Sequence, residues 1–448
     1  QTKQTAIYNE IQGWFNDFIF TKASSDESGF ALRVMELFFE QKNFDVSIIL
    51  NALDELIAYN SANVAKVEQA YKLRAKCLSK LKRKKEERQN NILLADYYLD
   101  FAEKTFQKDI QGALRAVNFY QKGIILYRNN EKPEKASAAQ KRLIEIQKEI
   151  PKTMMPISIK LDIKGVVDNI KANIEGLSFE ECVVRLIQMF GFEKQEDIKN
   201  RVIKEFKDEP ISHLFGKNLI NAQGQIVLTL PPLDIHNPEK NSKLIELHMY
   251  QNELEKQKFI GDIWIKNALN IIRDRFVIDK PMVEFLVKDN PIIPTGRERI
   301  FQSGLYMFFN GDYYEAMHIL APQVENLFRD IAQGAGGITV TLEKDGTSME
   351  KVLSSILSLP ELMDCYDNDI LFIFRGLLNE RAGANIRNEI AHGIISESAC
   401  STGACLYFGV AVIKLLSLTS SPYYQILKNS EKLKHFEIPS KDTLKIIR

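Results

Sequence analysis

The chain has 448 residues, more than one hydrophobic core usually supports, so its length predicts two or three domains. Hydrophobic residues make up 45% of it and charged residues 26%, a composition that excludes disordered and fibrous proteins. Lysine plus arginine equals aspartate plus glutamate at 59 each, so nucleic-acid binding would need a local basic patch rather than a global positive field.

Five cysteines, an odd number, argue against a disulfide framework and favour a reducing compartment. Cys400 and Cys405 lack the second Cys/His pair that a zinc site needs, so we interpret them as small core residues. The first ten residues are polar, unlike a signal peptide, and the longest apolar run, 404–413, is far shorter than the ~20 residues that cross a bilayer. We therefore expect a cytoplasmic protein without metal or cofactor.

Residues 1–150 are predicted to form an N-terminal helical module. Apolar residues recur there at three- and four-residue spacing, and no proline precedes Pro133. The stretch 113–128, A-L-R-A-V-N-F-Y-Q-K-G-I-I-L-Y-R, resembles one helix of a tetratricopeptide-like hairpin, but a clear period of about 34 residues is missing. Whether the module is a repeat array therefore stays open.

One dense positive stretch of this module, K-L-R-A-K-C-L-S-K-L-K-R-K-K-E-E-R, covers residues 72–88. Its central charges, Lys82, Arg83, Lys84 and Lys85, are candidates for salt-dependent contacts with RNA phosphates. The stretch also has an apolar seam of leucines, which slightly favours the alternative, a solvated helix packed on its neighbours. Aromatic residues are not interleaved with the charges, as they would be in a platform for single-stranded bases.

Residues 151–240 are predicted to form a small middle section with both helix and strand. After a proline-containing linker, residues 157–163, I-S-I-K-L-D-I, alternate like a short strand. Ser178 with Glu181 predicts a capping box that opens a helix. The section ends in a proline-rich break at 228–241.

Residues 241–448 are predicted to be an all-α bundle with a small β excursion, a strand and turn at 338–346. Ser396 and Ser398 are candidate caps of a last apolar helix. Three capping boxes are predicted to open other helices of the bundle: Thr295 with Glu298, Asp312 with Glu315 (in a helix kinked at Pro322), and Thr347 with Glu350. The predicted fold class of the chain is therefore mostly α.

The stretch R-N-E-I-A-H-G, from Arg387 to Gly393, combines residue types that carry chemistry. An arginine and a histidine at this spacing occur by chance in roughly half of chains of this length. Requiring asparagine after the arginine and glycine after the histidine lowers that to about one chain in several hundred. Of the six histidines, only His392 has an arginine five positions before it, so the spacing is informative.

If residues 386–392 are helical, Asn388 and His392 share a face, and the long side chain of Arg387 can bring its guanidinium round to them. Gly393 suits the left-handed conformation that ends a helix, and the helix dipole would favour a protonated His392. A histidine that titrates near neutrality, beside a guanidinium that can fork onto phosphate oxygens, suits metal-free phosphodiester cleavage. The alternative is that these side chains only cap and solvate a short surface helix.

The R-N, three residues, H-G pattern between two apolar helices resembles the HEPN superfamily, and more closely an uncharacterised HEPN-like family with this RN…HG signature. The resemblance covers residues 290–420 well and 210–235 loosely, and does not extend to 1–150. Its flanking features are P-T-G-R-E-R-I-F-Q-S-G-L (294–305), G-D-Y-Y-E-A-M-H-I-L-A-P-Q-V-E-N-L-F-R (311–329) and L-L-N-E-R-A-G-A-N-I-R-N-E-I-A-H-G (377–393).

The resemblance implies a C-terminal four-helix bundle that pairs with a copy of itself, so that two RN…H motifs share one composite cleft. In active members the residue matching His392 transfers protons, the one matching Arg387 stabilises the phosphate, and the one matching Asn388 orients them. The 2′-hydroxyl of RNA then attacks the adjacent phosphate and leaves a 2′,3′-cyclic phosphate and a 5′-hydroxyl. Many members are metal-independent ribonucleases of defence, toxin or RNA-processing systems, whereas others have lost catalysis and only bind.

Other residues are secondary candidates. Glu325 and Arg329 are four apart on the preceding helix and form either a supporting ion pair or an ordinary surface pair. Arg297 and Arg381 are candidates for contacts with the RNA backbone, and His318 is interpreted as packed rather than catalytic.

The resulting hypothesis is a metal-independent endoribonuclease, a toxin or anti-phage effector by resemblance alone. We expect an RNA substrate, a homodimer through the C-terminal bundle, no membrane partner, and an N-terminal module that senses, restrains or binds a regulatory protein. The rival hypothesis is a non-catalytic HEPN-type scaffold that binds RNA or protein.

Overall fold

A computed structural model describes residues 7, 9–11, 13–15, 17–18, 29–41, 46–59, 62–106, 110–154, 160–208, 216–221, 223–232, 241–434 and 445–446. These residues are mostly helical and form three small two-stranded sheets, which confirms the predicted mostly-α fold class. The chain divides into two compact units: unit 1 is Gln1–Pro156 with Ile220–Ile226, and unit 2 is Ile157–Leu219 with Val227–Arg448.

Unit 1 is helical, as predicted. After the helical residues between 7 and 18, its helices are α1 Phe30–Phe39, α2 Ser47–Tyr59, α3 Val64–Lys80, α4 Lys84–Thr105, α5 Ile110–Asn129, α6 Pro133–Gln147 and α7 Ile150–Thr153. Helices α1–α3 share one apolar cluster, and α4–α7 share a second.

The basic stretch 72–88 is not one helix, contrary to the alternative interpretation of it as a single solvated helix. Helix α3 ends at Lys80, and α4 begins at Lys84. The turn between them places Lys82 in the left-handed region with φ +56°, and Arg83 N–H donates to the Leu78 carbonyl over 2.9 Å. The leucine seam is partly confirmed, because Leu73 and Leu78 are buried.

Unit 2 contains the remaining elements. Its helices are α8 Lys164–Ile174, α9 Phe179–Met189, α10 Gln195–Asp208, α11 Ser242–Ile260, α12 Lys266–Arg275, α13 Glu298–Asn310, α14 Tyr313–Gly334, α15 Leu353–Ile356, α16 Pro360–Cys365, α17 Asn368–Leu378, α18 Ile386–Ala391, α19 Glu397–Cys400, α20 Gly403–Ser417, α21 Ser421–Asn429 and α22 Glu431–Lys434, with a π-helical turn at Gly261–Ile265 and a 3-10 turn at Pro281–Leu286. Its strands include β1 Leu161–Asp162, β4 Val340–Leu342, β5 Ser348–Glu350 and β6 Lys445–Ile446. The two hairpin strands β2 Lys217–Ile220 and β3 Ile226–Leu230 also belong to it, except for Ile220 and Ile226, which are assigned to unit 1.

Helix α20 forms the centre of unit 2. All of its residues except Lys414 are buried, because the helix is apolar or small-sided on every face. It packs closely against the π-helical turn: a Cβ on Gly261 would lie 1.9 Å from the carbonyl oxygen of Gly403. Only glycine fits at such an approach. Cys400 and Cys405 are buried at this end of the core, as predicted.

The predicted middle section is not a separate body in this structure. Helices α8, α9 and α10 bury Val166, Phe179 and Val202 in the same core as the C-terminal helices. Their amphipathic faces are completed by that core, so these helices belong to unit 2. Residues 233–240 of the predicted proline-rich break lie outside the described residues.

Some of the predicted helix caps are confirmed and others are not. The capping box is confirmed at Ser178, whose Oγ accepts from Glu181 N–H over 3.2 Å while the Glu181 carboxylate accepts from Ser178 N–H over 2.8 Å. Ser396 caps α19, and the long apolar helix begins only after Thr402. Asp312 precedes α14 without a side-chain cap bond, and Pro322 lies inside that helix.

Two predicted helix starts are wrong. Helix α13 begins after Arg297, and no side chain caps it, so Thr295 does not open it. Residues Ser348–Glu350 form strand β5 rather than a helical turn, because they pair antiparallel with β4, Thr341 opposite Met349. Strand pairing therefore overrides the local capping pattern there.

Within the described residues, no single helix is both long and apolar enough to cross a bilayer. Helices α20 and α21 meet that length only as a pair bent by 91°.

Candidate functional site

The RN…HG motif forms a short helix and its two ends. Helix α18 starts after Asn385, which has a φ of +54°, and buries Ile386 as its anchor. Gly393 has a φ of +64°, which confirms the predicted left-handed end of the helix. Gly393 N–H donates to the Ile390 carbonyl over 2.9 Å, so His392 is the last residue before the chain turns away.

Arg387 is held by a carboxylate from a distant part of the sequence. Its Nε donates to Glu325 Oε2 over 2.5 Å, and its Nη2 donates to Oε1 over 3.3 Å. The Glu325 side chain, on α14, is 12% exposed, whereas that of Arg387 is 31% exposed. A third donor, Nη1, reaches Asn388 Oδ1 over 3.3 Å. Since a guanidinium has five N–H donors, two remain for a phosphate.

Arg329 holds the same carboxylate from the other side. Its Nη2 donates to Glu325 Oε1 over 3.2 Å and to the Lys351 carbonyl over 2.8 Å, and its Nη1 donates to Glu350 Oε2 over 2.8 Å. The Arg329 side chain is 16% exposed, so the pair with Glu325 is not an ordinary surface pair. The network joins α14, α18 and the β4–β5 hairpin.

Asn388 orients Arg387 rather than His392. Its Nδ2 donates to Asn385 Oδ1 over 2.7 Å and to the Asn379 carbonyl over 3.4 Å, which turns Oδ1 toward Arg387. The exposed ring of His392 forms no hydrogen bond or ion pair with any residue that the structure describes. The structure thus brings two of the three predicted catalytic residues together and leaves the third open to solvent.

The side chains of the candidate RNA contacts take no part in the hydrogen bonds described for this network. Arg381 is exposed in the loop between α17 and α18, and Arg297 is exposed just before α13. Neither side chain forms a hydrogen bond or ion pair within the described ranges. The exposed side chains of Lys82, Arg83, Lys84 and Lys85 belong to unit 1, whereas the RN…HG motif belongs to unit 2.

Three residues of the network escape sequence reasoning. Glu350 acts as an acceptor for Arg329 instead of capping a helix. Asn379 and Asn385 fix the Asn388 amide, and only the tolerance of asparagine for a positive φ hints at Asn385. In the part of the chain that the structure describes, no group of three or more His, Cys, Asp or Glu side chains is placed to hold a metal ion.

Comparison with known proteins leaves the site to be interpreted from its own residues. The chain matches no protein-family model, no curated protein and no solved structure.

Proposed function

We propose that the chain is a metal-independent, HEPN-like endoribonuclease whose reacting groups are Arg387, Asn388 and His392. The observation that supports this best is a contrast between Arg387 and the residue that follows α18: the guanidinium is fixed by a half-buried carboxylate, and five residues later the exposed ring of His392 has no partner among the described residues. Such a pair can hold a phosphate in place and move a proton beside it.

Each side chain takes a distinct part in the proposed reaction. His392 accepts the proton of the 2′-hydroxyl, whose oxygen attacks the adjacent phosphorus. The bond from phosphorus to the 5′-oxygen breaks, leaving a 2′,3′-cyclic phosphate. The two free N–H donors of Arg387 stabilise the charge that develops on the phosphate oxygens, while Glu325 and Asn388 hold the guanidinium in position.

The leaving 5′-oxygen needs a proton at the same moment, and one motif offers one histidine. A second copy of the chain would supply the other histidine, so we expect a composite site in a homodimer. Large apolar side chains of the hairpin that Arg329 anchors support self-association there: Leu342 is 72% exposed and Met349 is 59% exposed.

The proposed setting is a cytoplasmic toxin or anti-phage effector, which rests on the resemblance alone. Unit 1 would then sense, restrain or bind a regulatory protein. A second candidate function is a non-catalytic scaffold for RNA or protein. One observation favours it: the two hydrogen bonds from Arg387 to Glu325 would also anchor α18 to α14 without any catalytic role.

Cleavage of total cellular RNA in EDTA tests the proposal. Wild type should leave cyclic phosphate ends, and His392→Ala and Arg387→Ala should each lower the rate by about 10³-fold. Arg33→Ala is the matched control, because Arg33 is an exposed arginine that pairs with a single glutamate, Glu36. Equal melting temperatures would show that all variants fold.

Two outcomes decide between the candidate functions. Loss of cleavage in both motif variants, with the Arg33 variant unchanged, supports the enzyme. A wild-type protein that dimerises and binds RNA but cuts none of it in EDTA supports the scaffold.

A further inference from the structure

A polar cavity follows the motif directly along the chain. Its volume is about 570 Å³, and it is lined by residues 311–315 at the start of α14 and by Ile395, Ser396, Glu397 and Ser401. Since three residues span at most about 11 Å, the backbone of Ile395 lies within that distance of the backbone of His392. The cavity is therefore near enough to receive a group of the same RNA strand.

An aromatic surface borders this cavity. The rings of Tyr314 and His318 lie 4.2 Å apart between centroids at an angle of 42°. His318 Nδ1 donates to the Tyr314 carbonyl oxygen over 2.8 Å, which fixes the imidazole. Tyr314 lines the cavity and is 40% exposed, so a fixed ring face is available to a planar ligand.

Three carboxylates define which planar ligand fits. Asp312, Glu315 and Glu397 line the cavity, and their carboxylates have no hydrogen-bond donor or cation among the residues described. Glu315 and Glu397 lie close to one thiol, since burial and these two charges raise the pKa of Cys400 to about 11. The carboxylates repel a phosphate, and they are not grouped as a metal site would be. A neutral ring rich in N–H donors complements them.

We propose that this cavity binds one base of a single-stranded RNA, guanine in preference to the others, stacked on Tyr314. Guanine places the N1–H and N2–H₂ donors side by side on its Watson–Crick edge, where carboxylates such as Glu315 and Glu397 accept both. Uracil offers one N–H flanked by two carbonyl oxygens, which the same carboxylates repel. This inference rests on the proposed function, because it names the substrate class of that site.

Binding can be measured without cleavage. The His392→Ala protein is titrated into labelled eight-nucleotide RNAs, either all uridine or with a single G, C or A, and fluorescence anisotropy is recorded. The single-G RNA should bind at least tenfold more tightly than the uridine RNA. A further Tyr314→Ala change should weaken its binding roughly 5- to 150-fold, as for loss of one stacked base, whereas Tyr314→Phe should retain it.

Two more variants separate recognition from folding. Glu397→Gln should remove the preference for guanine with little effect on the uridine RNA. Tyr424→Ala should change neither, because Tyr424 is also an exposed tyrosine, 50% exposed, but belongs to α21. Melting temperatures show whether each protein is folded.

The outcomes distinguish this inference from the proposed function. Cleavage by wild type with equal frequency beside all four bases, unchanged by Tyr314→Ala, overturns the base site and leaves the ribonuclease intact. Guanine-selective binding that depends on Tyr314, without cleavage by wild type, supports the base site and overturns the enzyme. Cleavage beside guanine that becomes unselective in Tyr314→Ala supports both.

Discussion

Unit 2 contains two networks in which an arginine holds a buried glutamate, and they differ in what lies beside them. In the first, Arg387 and Arg329 share Glu325. In the second, Arg201 and Lys256 share Glu193, with the deeply buried Glu253 beside them. Each contains two basic side chains and two glutamates once Glu350 is included in the first.

The exposed titratable group linked to the second network is a carboxylate, that of Glu205, which accepts from Asn252 Nδ2 over 2.8 Å. Arg201 Nε donates to Asn252 Oδ1 over 2.5 Å, and Gln257 Nε2 donates to Glu253 Oε1 over 3.2 Å, so its bonds join α10 to α11 and run within α11. The first network ends at Arg387, two of whose N–H donors have no acceptor among the described residues, five positions before the exposed His392. An arginine–carboxylate pair is therefore not in itself a functional signal, and the role proposed for the first network depends on the histidine beside it.

The largest effect that should separate the two networks is the loss of cleavage rate in Glu325→Asp. The shorter side chain keeps the charge but withdraws the carboxylate from Arg387, so the guanidinium loses its fixed position. We expect the cleavage rate to fall about 100-fold, or about 3 kcal/mol, as for a misplaced catalytic group. The measurement is the cleavage rate together with the melting temperature.

Glu193→Asp is the matched control, since Glu193 also accepts from two cations in a buried setting. It should lower the melting temperature to a similar extent and leave cleavage unchanged. Equal losses of cleavage in the two variants would mean that Glu325 acts only through stability.

The local parts of this site could be predicted from the sequence, and the long-range parts could not. Gly393 follows from the need for a left-handed helix end, which depends on neighbouring residues alone. The same Ser/Thr-x-x-Glu pattern, however, gives a capping box at Ser178 and is followed at Thr347 by a strand, Ser348–Glu350.

The difference between those two places is tertiary. Glu350 turns to Arg329 on α14 and its strand pairs with β4, so its carboxylate is not available to a helix end. Likewise, Glu325 and Arg387 are 62 positions apart, and no periodicity links them. The network was therefore visible only as the separate pair of Glu325 with Arg329.

The second network should make the stability of the protein depend on pH. Burial, with the nearby charge of Glu193, raises the pKa of Glu253, whereas hydrogen bonds from Arg201 and Lys256 outweigh burial and lower that of Glu193. The folded state therefore keeps a proton on Glu253 that the unfolded state releases above its ordinary pKa of 4.5. The free energy of unfolding then falls as the pH rises beyond that value.

Glu253→Gln should remove that decline, because glutamine keeps the shape without a titratable proton. At pH 8 we expect it to be more stable than wild type by about 1 to 2 kcal/mol, and at pH 4.5 nearly equal to it. Urea unfolding at the two pH values measures the difference. Parallel pH profiles would show that Glu253 is charged in the folded protein across this range. Cleavage should be unchanged.

The smallest effect is expected from basic residues that no buried carboxylate holds. Lys82, Arg83, Lys84 and Lys85 are exposed in the α3–α4 turn, and Arg83 lies 3.7 Å from a single glutamate. Changing Lys82 to Asn, which tolerates its positive φ, and the other three to Gln tests them together.

Without a fixed geometry or interleaved aromatic rings, these four side chains should alter RNA affinity at 150 mM salt less than about threefold. Full contact with four phosphates would instead reduce the slope of log affinity against log salt by about 3. A salt titration of RNA binding by the His392→Ala protein, with and without the four changes, separates the two. A reduction of this slope by about 3 would extend the RNA-binding surface to unit 1. It would also show that exposed cations contribute to affinity without the fixed geometry that Arg387 has.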